Sequence, residues 1–248
     1  MAEKFKIFFA SDFHLGLPAG SPPVEREKKV VKWLKSVAPE AKEIYLLGDV
    51  FDFWWEYKLV VPRGFTRFLG TVSEITDSGI PVHFFTGNHD MWISDYLVDE
   101  CGIITHTEPV TKVFYGKKFH LAHGEGLGTK DNGYKILLSL FRNKTLRAMY
   151  SALHPSIGMG IGLRWSLSSR LGKGIKMNFL GEEKEDLIRY ATTILEKENI
   201  DFFIFGHRHL EMKYTMKNAA EIIFLGDWIM NGSYAVWDGS VLDFLKFG

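Results

Sequence analysis

A single cysteine, Cys101, stands in the whole chain of 248 residues. An internal disulfide and a thiolate-held metal cluster are both excluded, and the expected setting is a reducing compartment. Net charge is missing as well: thirty basic and thirty acidic residues cancel, so there is no global field with which to gather nucleic acid. Long apolar runs are also lacking. No stretch approaches the roughly 18–20 apolar residues of a membrane span, and Met1–Ala10 carries too short a run for a signal peptide. There is no low-complexity tract and no repeat. These absences leave a soluble or peripheral cytoplasmic protein, long enough for one large α/β domain or one domain with a sizeable insertion.

What is present is a rhythm of short apolar runs, each stopped by a polar turn. Lys6–Ala10 reads as a buried strand ended at Ser11-Asp12, and Ile44–Leu47 as another ended at Gly48-Asp49. Between them Val30, Val31, Leu34 and Val37 are spaced for one face of a helix over about 24–37. A helix near 65–76 leads to a third strand, Pro81–Phe85, stopped by Thr86-Gly87. The alternation predicts a parallel, doubly covered sheet, whose ligands gather beyond the carboxyl ends of the strands. The second half follows with a hairpin around Gly116, a charged amphipathic helix over 182–198, the strand Phe202–Phe205 and three further strands at about 211–217, 221–225 and 233–246, the last broken at Asp238-Gly239. Between the halves, 127–179 is too long for an ordinary loop and rich in glycine, serine and helix formers. It is expected to be a helical cap inserted in a single domain spanning 1–248.

The strand ends carry the chemistry. They read Asp12-Phe13-His14, Gly48-Asp49, Gly87-Asn88-His89-Asp90, His123-Gly124 and Gly206-His207-Arg208-His209. In an extended triplet the first and third side chains point to one side and can clasp one ion. Carboxylates, imidazoles and one amide oxygen, with no sulfur, suit manganese, iron or zinc better than calcium. Seven candidate ligands exceed what one ion uses, so two divalent ions are expected. Asp12, His14, Asp49 and His209 are assigned to one, and Asp49, Asn88, His123 and His207 to the other, with Asp49 bridging. Such a pair activates water and stabilises the attacking and leaving oxygens of a displacement at phosphorus. His89, directly after Asn88, falls on the open side, to stabilise phosphoryl oxygens or protonate a leaving group, with Asp52 as its orienting partner. Asn88 also counts among residues expected to meet substrate. Asp90 is expected to brace its loop, Asp227 to be a turn residue first and a functional one second, and Trp54 and Trp55 to pack in the core.

In this order the motifs D-x-H, G-D-x-x-D, G-N-H-D, H-G and G-H-x-H resemble those of calcineurin-like metallophosphoesterases across about residues 6–210. That resemblance implies a four-layer α-β-β-α sandwich, a di-metal centre with the ligands just named, and an aspartate–histidine pair at Asp52 and His89. A narrower resemblance is to the UDP-2,3-diacylglucosamine hydrolases of lipid A synthesis. It is carried by Gly48-Asp49-Val50-Phe51-Asp52-Phe53-Trp54, His123-Gly124-Glu125-Gly126-Leu127 and Asp131-Asn132-Gly133-Tyr134. It implies cleavage of a lipid-linked nucleotide diphosphate to UMP and a lipid monosaccharide phosphate, with manganese the first choice of metal, and substrate contact at Asp131. Many members of that subfamily carry arginine where this chain has His89. The alternatives are a phosphoesterase for a soluble nucleotide or phosphoprotein, and a non-catalytic scaffold, which would be expected to lose ligands that are all present here.

Between Lys130 and Lys176 stand nine basic residues and one acidic, Asp131. The segment is thus net +8 and the remainder −8. Leucines, isoleucines, Phe141, Met149 and Trp165 are interleaved with the cations. A basic, apolar segment in an otherwise acidic protein fits peripheral contact with the inner membrane. It fits equally an anionic lipid substrate, with cations on the diphosphate and apolar walls around the acyl chains. Arg164, beside Trp165, is the candidate substrate contact here. A helical hairpin packed on the sandwich is the plainer reading. Nucleic acid is not expected, because no binding motif accompanies the cations.

Overall fold

A computed structural model describes residues 5–128, 139–141, 143–173 and 178–248. Its first sheet contains β1 (Lys6–Ala10), β2 (Ala41–Leu47), β3 (Val82–Phe85) and β4 (Ile104–His106), all parallel. β10 (Ser233–Trp237) and β11 (Leu242–Lys246) add to it antiparallel, giving the order β11-β10-β1-β2-β3-β4. The second sheet holds β5 (Val110–Phe114), β6 (Lys117–Ala122), β7 (Phe202–Phe205), β8 (Glu211–Thr215) and β9 (Glu221–Leu225), in the order β5-β6-β7-β9-β8. Its three central strands, β6, β7 and β9, are parallel.

Alternation along the strands sorts the side chains into layers. Phe8, Ala10, Ile44, Leu46, Val82 and Phe84 face helices α1 (Pro23–Val37) and α2 (Thr66–Asp77). Their neighbours Ile7, Phe9, Tyr45, Leu47 and Phe85 point the other way, into a core shared with Phe119, Leu121, Ile204, Ile223 and Leu225 of the second sheet. The second sheet turns Ala122, Phe203, Phe205, Ile222 and Phe224 outward beneath α6 (Asp186–Leu195). Strands with both faces covered need apolar residues at every position, which is why these runs show no polar alternation. The result is an α-β-β-α sandwich, each sheet covered by helices on one face and by the other sheet on the second.

The last strand divides into β10 and β11 at the expected break, where Asp238 caps a turn by accepting from the main-chain N–H groups of Ser240 and Val241. Other elements differ from the sequence reading. The amphipathic helix is shorter, covering α6 alone. Helix α3 (Tyr96–Cys101) and strand β4 have no counterpart in the sequence reading; six and three residues hold too little periodicity to register. Within the expected cap lie α4 (Lys144–Ser151) and α5 (Pro155–Lys173). Asn143 caps α4, its Oδ1 accepting from the N–H groups of Thr145 and Leu146. Among the described residues, no helix is long and apolar enough to cross a membrane.

Candidate metal centre

The loops after β1, β2 and β3 in one sheet and after β6 and β7 in the other converge on a single point. There Nε2 of His14 and Nε2 of His209 lie 3.3 Å apart, each facing Asp12 Oδ1, at 3.6 Å and 3.3 Å. Asp49 Oδ2 stands between the two halves of the centre, 3.7 Å from His14 Nε2 and 3.4 Å from His123 Nε2. Ligand-type atoms fall into three compact groups: Asp12, His14 and His209; Asp49, His123 and His207; and His14, Asp49 and His89. The first two correspond to the two ion sites read from the sequence, with Asp49 within reach of both. Asn88 adjoins them on the loop after β3.

Backbone conformation at these positions is unusual. Asp12, His14, Asp49, His207 and His209 all have φ between 45° and 63°, in the left-handed region where a side chain costs about 1–2 kcal/mol per residue. Strain concentrated on candidate ligands marks a site where geometry is held for function. Two glycines make room for it. A Cβ on Gly87 would collide with the carboxylate of Asp49, and one on Gly48 with the ring of His123.

Each ligand is oriented from behind. Asp12 uses Oδ2 to accept from the His207 N–H at 3.0 Å, leaving Oδ1 to the centre. Asp49 Oδ1 accepts from the His89 N–H at 2.9 Å, leaving Oδ2. His123 donates from Nδ1 to the Leu47 carbonyl at 2.6 Å, which turns Nε2 toward the centre. His209 Nδ1 stands 3.6 Å from Asp227 Oδ2, and His14 Nδ1 stands 3.6 Å from Asp52 Oδ1. Asp90 braces the loop as expected, accepting from the N–H groups of Gly87, Val50 and Phe51.

The electrostatics favour cations. Burial works to raise the Asp12 and Asp49 carboxyls, but the surrounding imidazoles outweigh it: His209 and His14 hold Asp12 low, and His123 and His89 hold Asp49 well below the usual range. Burial works to lower His123, yet the facing Asp49 carboxylate raises it well above the ordinary imidazole value. Asp90 is pushed up to about 7 by burial and by the charge of Asp49.

Two divalent ions fit these residues. Asp12 Oδ1, Asn88 Oδ1 and His123 Nε2 are buried and make no hydrogen bond, and groups so placed are costly unless a ligand satisfies them. The donor set, imidazole and carboxylate with one amide, suits first-row divalent metals.

The remaining predicted residues are placed unevenly. His89 is buried beside the centre, its ring 5.1 Å from that of His14. Its Nδ1 lies 3.0 Å from the main-chain carbonyl oxygen of Asp52, so the expected pairing includes a backbone contact. Asp131 lies outside the described residues. Arg164 is exposed on α5. Trp54 is buried in the core, whereas Trp55 lines a cavity. One group went unrecognised in the sequence, Ser166, whose Oγ is 2.7 Å from Asp52 Oδ2, while Asp227 both closes its turn by accepting from the Met230 N–H and faces His209. A lone serine in a serine-rich segment gives no signal, and Asp227 is joined to His209 only by the fold.

Beside the centre lies a cavity of about 450 Å³ under α4 and α5. Phe53, Trp55, Trp92, Phe141, Tyr150 and Trp165 wall it with Leu140, Leu146 and Ile161; Arg147 is its one charged lining residue among the described residues. Trp165 connects cavity and centre, its ring 6.2 Å from that of His89.

Known proteins resemble this chain along most of its length. The UDP-2,3-diacylglucosamine hydrolase of Porphyromonas gingivalis is 43% identical, over 96% of this chain and 95% of that protein. The UDP-2,3-diacylglucosamine hydrolase of Histophilus somni is 26% identical, over 90% and 92%. A solved dimetal phosphatase from Danio rerio, 12% identical, covers 99% of each chain with a TM-score of 0.48. Residues 5–211, which hold every strand-end ligand from Asp12 to His209, match the calcineurin-like phosphoesterases. The chain belongs to the calcineurin-like phosphoesterase family and is a metal-dependent hydrolase.

Proposed function

We propose that the protein hydrolyses the pyrophosphate bond of UDP-2,3-diacylglucosamine, giving UMP and the lipid monosaccharide phosphate. The observation that carries this reading is the cavity beside His89. Its volume and its aromatic and aliphatic walls suit acyl chains, and a soluble nucleotide would leave them without a partner. The names of the relatives favour the same substrate.

Asp12, His14, Asp49 and His209 would hold one ion, and Asp49, Asn88, His123 and His207 the other, manganese first, with iron or zinc also compatible. Bound there, the ions supply an activated water and neutralise charge on the phosphoryl oxygens. The protein's own part is placement. His89 donates from Nδ1 to the Asp52 carbonyl, which leaves Nε2 to meet a phosphoryl oxygen or to hold the proton that the leaving oxygen takes. One bridging P–O bond breaks; the attacked phosphorus gains the hydroxyl and the departing phosphate the proton. Asn88, Asp131 and Arg164 are proposed substrate contacts.

Membrane contact belongs to the same reading. Met149, Leu153, Ile157, Ile161, Leu163 and Leu167 are exposed on α4, α5 and the turn between them, with Lys144, Arg147 and Arg164 on the same helices. Apolar side chains among cations suit the interface of an anionic bilayer. We place the protein at the cytoplasmic face of the inner membrane, as a peripheral enzyme that meets its substrate there.

The test is UMP release from UDP-2,3-diacylglucosamine with Mn²⁺, alongside an Asp49→Ala control and the unacylated UDP-sugar. Release confined to the acylated substrate and abolished in the control is expected. Cleavage of a generic aryl phosphodiester without any UMP release would keep the reaction class and sink the substrate.

A further inference from the structure

Helix α5 reaches the metal centre through a hydroxyl. Ser166 is fully buried, its Oγ 2.7 Å from Asp52 Oδ2 and 3.1 Å from His89 Nδ1. His89 Nδ1 also faces the Asp52 carbonyl oxygen at 3.0 Å. Carboxylate and carbonyl oxygens only accept. The Ser166 O–H therefore donates to Asp52, and Nδ1–H of His89 donates to the Asp52 carbonyl and to Ser166 Oγ. One set of contacts fixes both the rotation of the ring and the nitrogen that carries the proton.

The approach of α5 is built into its sequence. Gly158, Gly162 and Ser166 recur at every fourth residue, along one helical face. A Cβ on Gly158 would collide with the hydroxyl of Tyr57, and one on Gly162 with the ring of Phe53. The helix thus lies against segment 52–57 at a distance only glycine permits, and the third member of the row delivers its hydroxyl to Asp52.

We infer that Ser166 is a positioning residue: it holds His89 in its working orientation only while α5 is seated, so cap placement and phosphoryl chemistry are linked through one serine. The inference rests on the reading of His89 as the group that meets the phosphoryl or leaving oxygen.

The test compares Mn²⁺-loaded wild type, Ser166→Ala, His89→Ala and the double variant on a soluble aryl phosphodiester and on the acylated substrate. Metal content and Tm are followed in each. Ser166→Ala should lower kcat on both substrates about 10- to 100-fold, the cost typical of losing an orienting partner. KM and metal content should hold, and no further loss should appear in the His89→Ala background. Ser166→Cys, similar in volume and weaker in hydrogen bonding, should fall between. Nitrogen NMR of the Zn²⁺-loaded protein should find the His89 proton on Nδ1 in wild type and in Ser166→Ala alike, because the Asp52 carbonyl still accepts it, with the Nδ1 resonance displaced where the Ser166 contact is lost. Equal losses in both backgrounds, or an unchanged Nδ1 resonance, would leave Ser166 a packing residue and overturn the inference. A harmless Ser166→Ala beside a damaging His89→Ala overturns it alone; a harmless His89→Ala overturns the reading of His89 as well.

Discussion

The Arg26 guanidinium donates through Nη1 to the carbonyl oxygen of His14 over 2.7 Å. Further donations reach the carbonyls of Leu17 and Ala19, so one buried cation on α1 gathers the whole loop that carries a candidate ligand. Replacing it by an uncharged methionine strands buried acceptors. Arg26→Met should cost about 3 kcal/mol in urea unfolding, in the range found for breaking buried charged networks, and should weaken metal retention. Unchanged stability would mean that the loop holds itself.

Gly87 offers a sharper probe of the centre. Gly87→Ala drives a methyl group into the Asp49 carboxylate. Metal affinity, measured by titration into chelator-treated protein, should fall about 10- to 100-fold, as when an orienting contact of a ligand is lost. Gly70→Ala is the control: its Cβ meets nothing within 4 Å on helix α2. It should leave the metal bound and raise stability by about 0.4–1 kcal/mol.

Acid should weaken the fold through histidines remote from the centre. Burial pulls His120 down to about 4, its ring held between Thr111 and Tyr190. Burial, with the charges of His83 and Lys112, takes His106 to about 4. An unfolded histidine titrates near 6.5. Between those values the unfolded chain binds protons that the folded chain refuses. The stability these residues contribute is therefore complete above about pH 6.5 and lost as pH falls toward 4. Tm should drop by about 3–8 °C from pH 7.5 to 5, and His120→Gln should flatten the curve. A variant as steep as wild type would assign the acid sensitivity elsewhere.

Vesicle sedimentation tests the proposed membrane contact. The protein should pellet with anionic vesicles, less so as salt rises, and remain in solution with neutral ones. Met149→Glu with Ile157→Glu should abolish pelleting while sparing turnover of a soluble aryl phosphodiester. Equal pelleting of the variant would move the contact away from α4 and α5.

Reading the sequence recovered what is local and missed what is not. β1, β2, β3 and β7 are short apolar runs closed by glycine or aspartate, so their ends and the candidate ligands there could be named from spacing alone. Ser166 sits 114 residues from its partner Asp52, and Arg26 reaches backbone carbonyls that carry no side-chain signature. Neither has a pattern that a chain can display before it folds. The cavity was foreseen only as apolar residues among cations; that Trp55 faces it while Trp54 joins the core is a matter of alternation across a bend. The antiparallel addition of β10 and β11 to the first sheet was likewise invisible, since both edges accept a strand equally well.

Each of the two candidate ion sites draws on both sheets. Asp12 and His14 follow a strand of the first and His209 one of the second; Asp49 belongs to the first, His123 and His207 to the second. A loaded centre is thus a clasp across the seam of the sandwich, and the halves cannot part without opening it. Unfolding would then wait on ion release, so the lifetime of the native state becomes a property of metal supply as much as of the apolar core. In a metal-starved cell this chain would be lost by breakdown as well as by idleness.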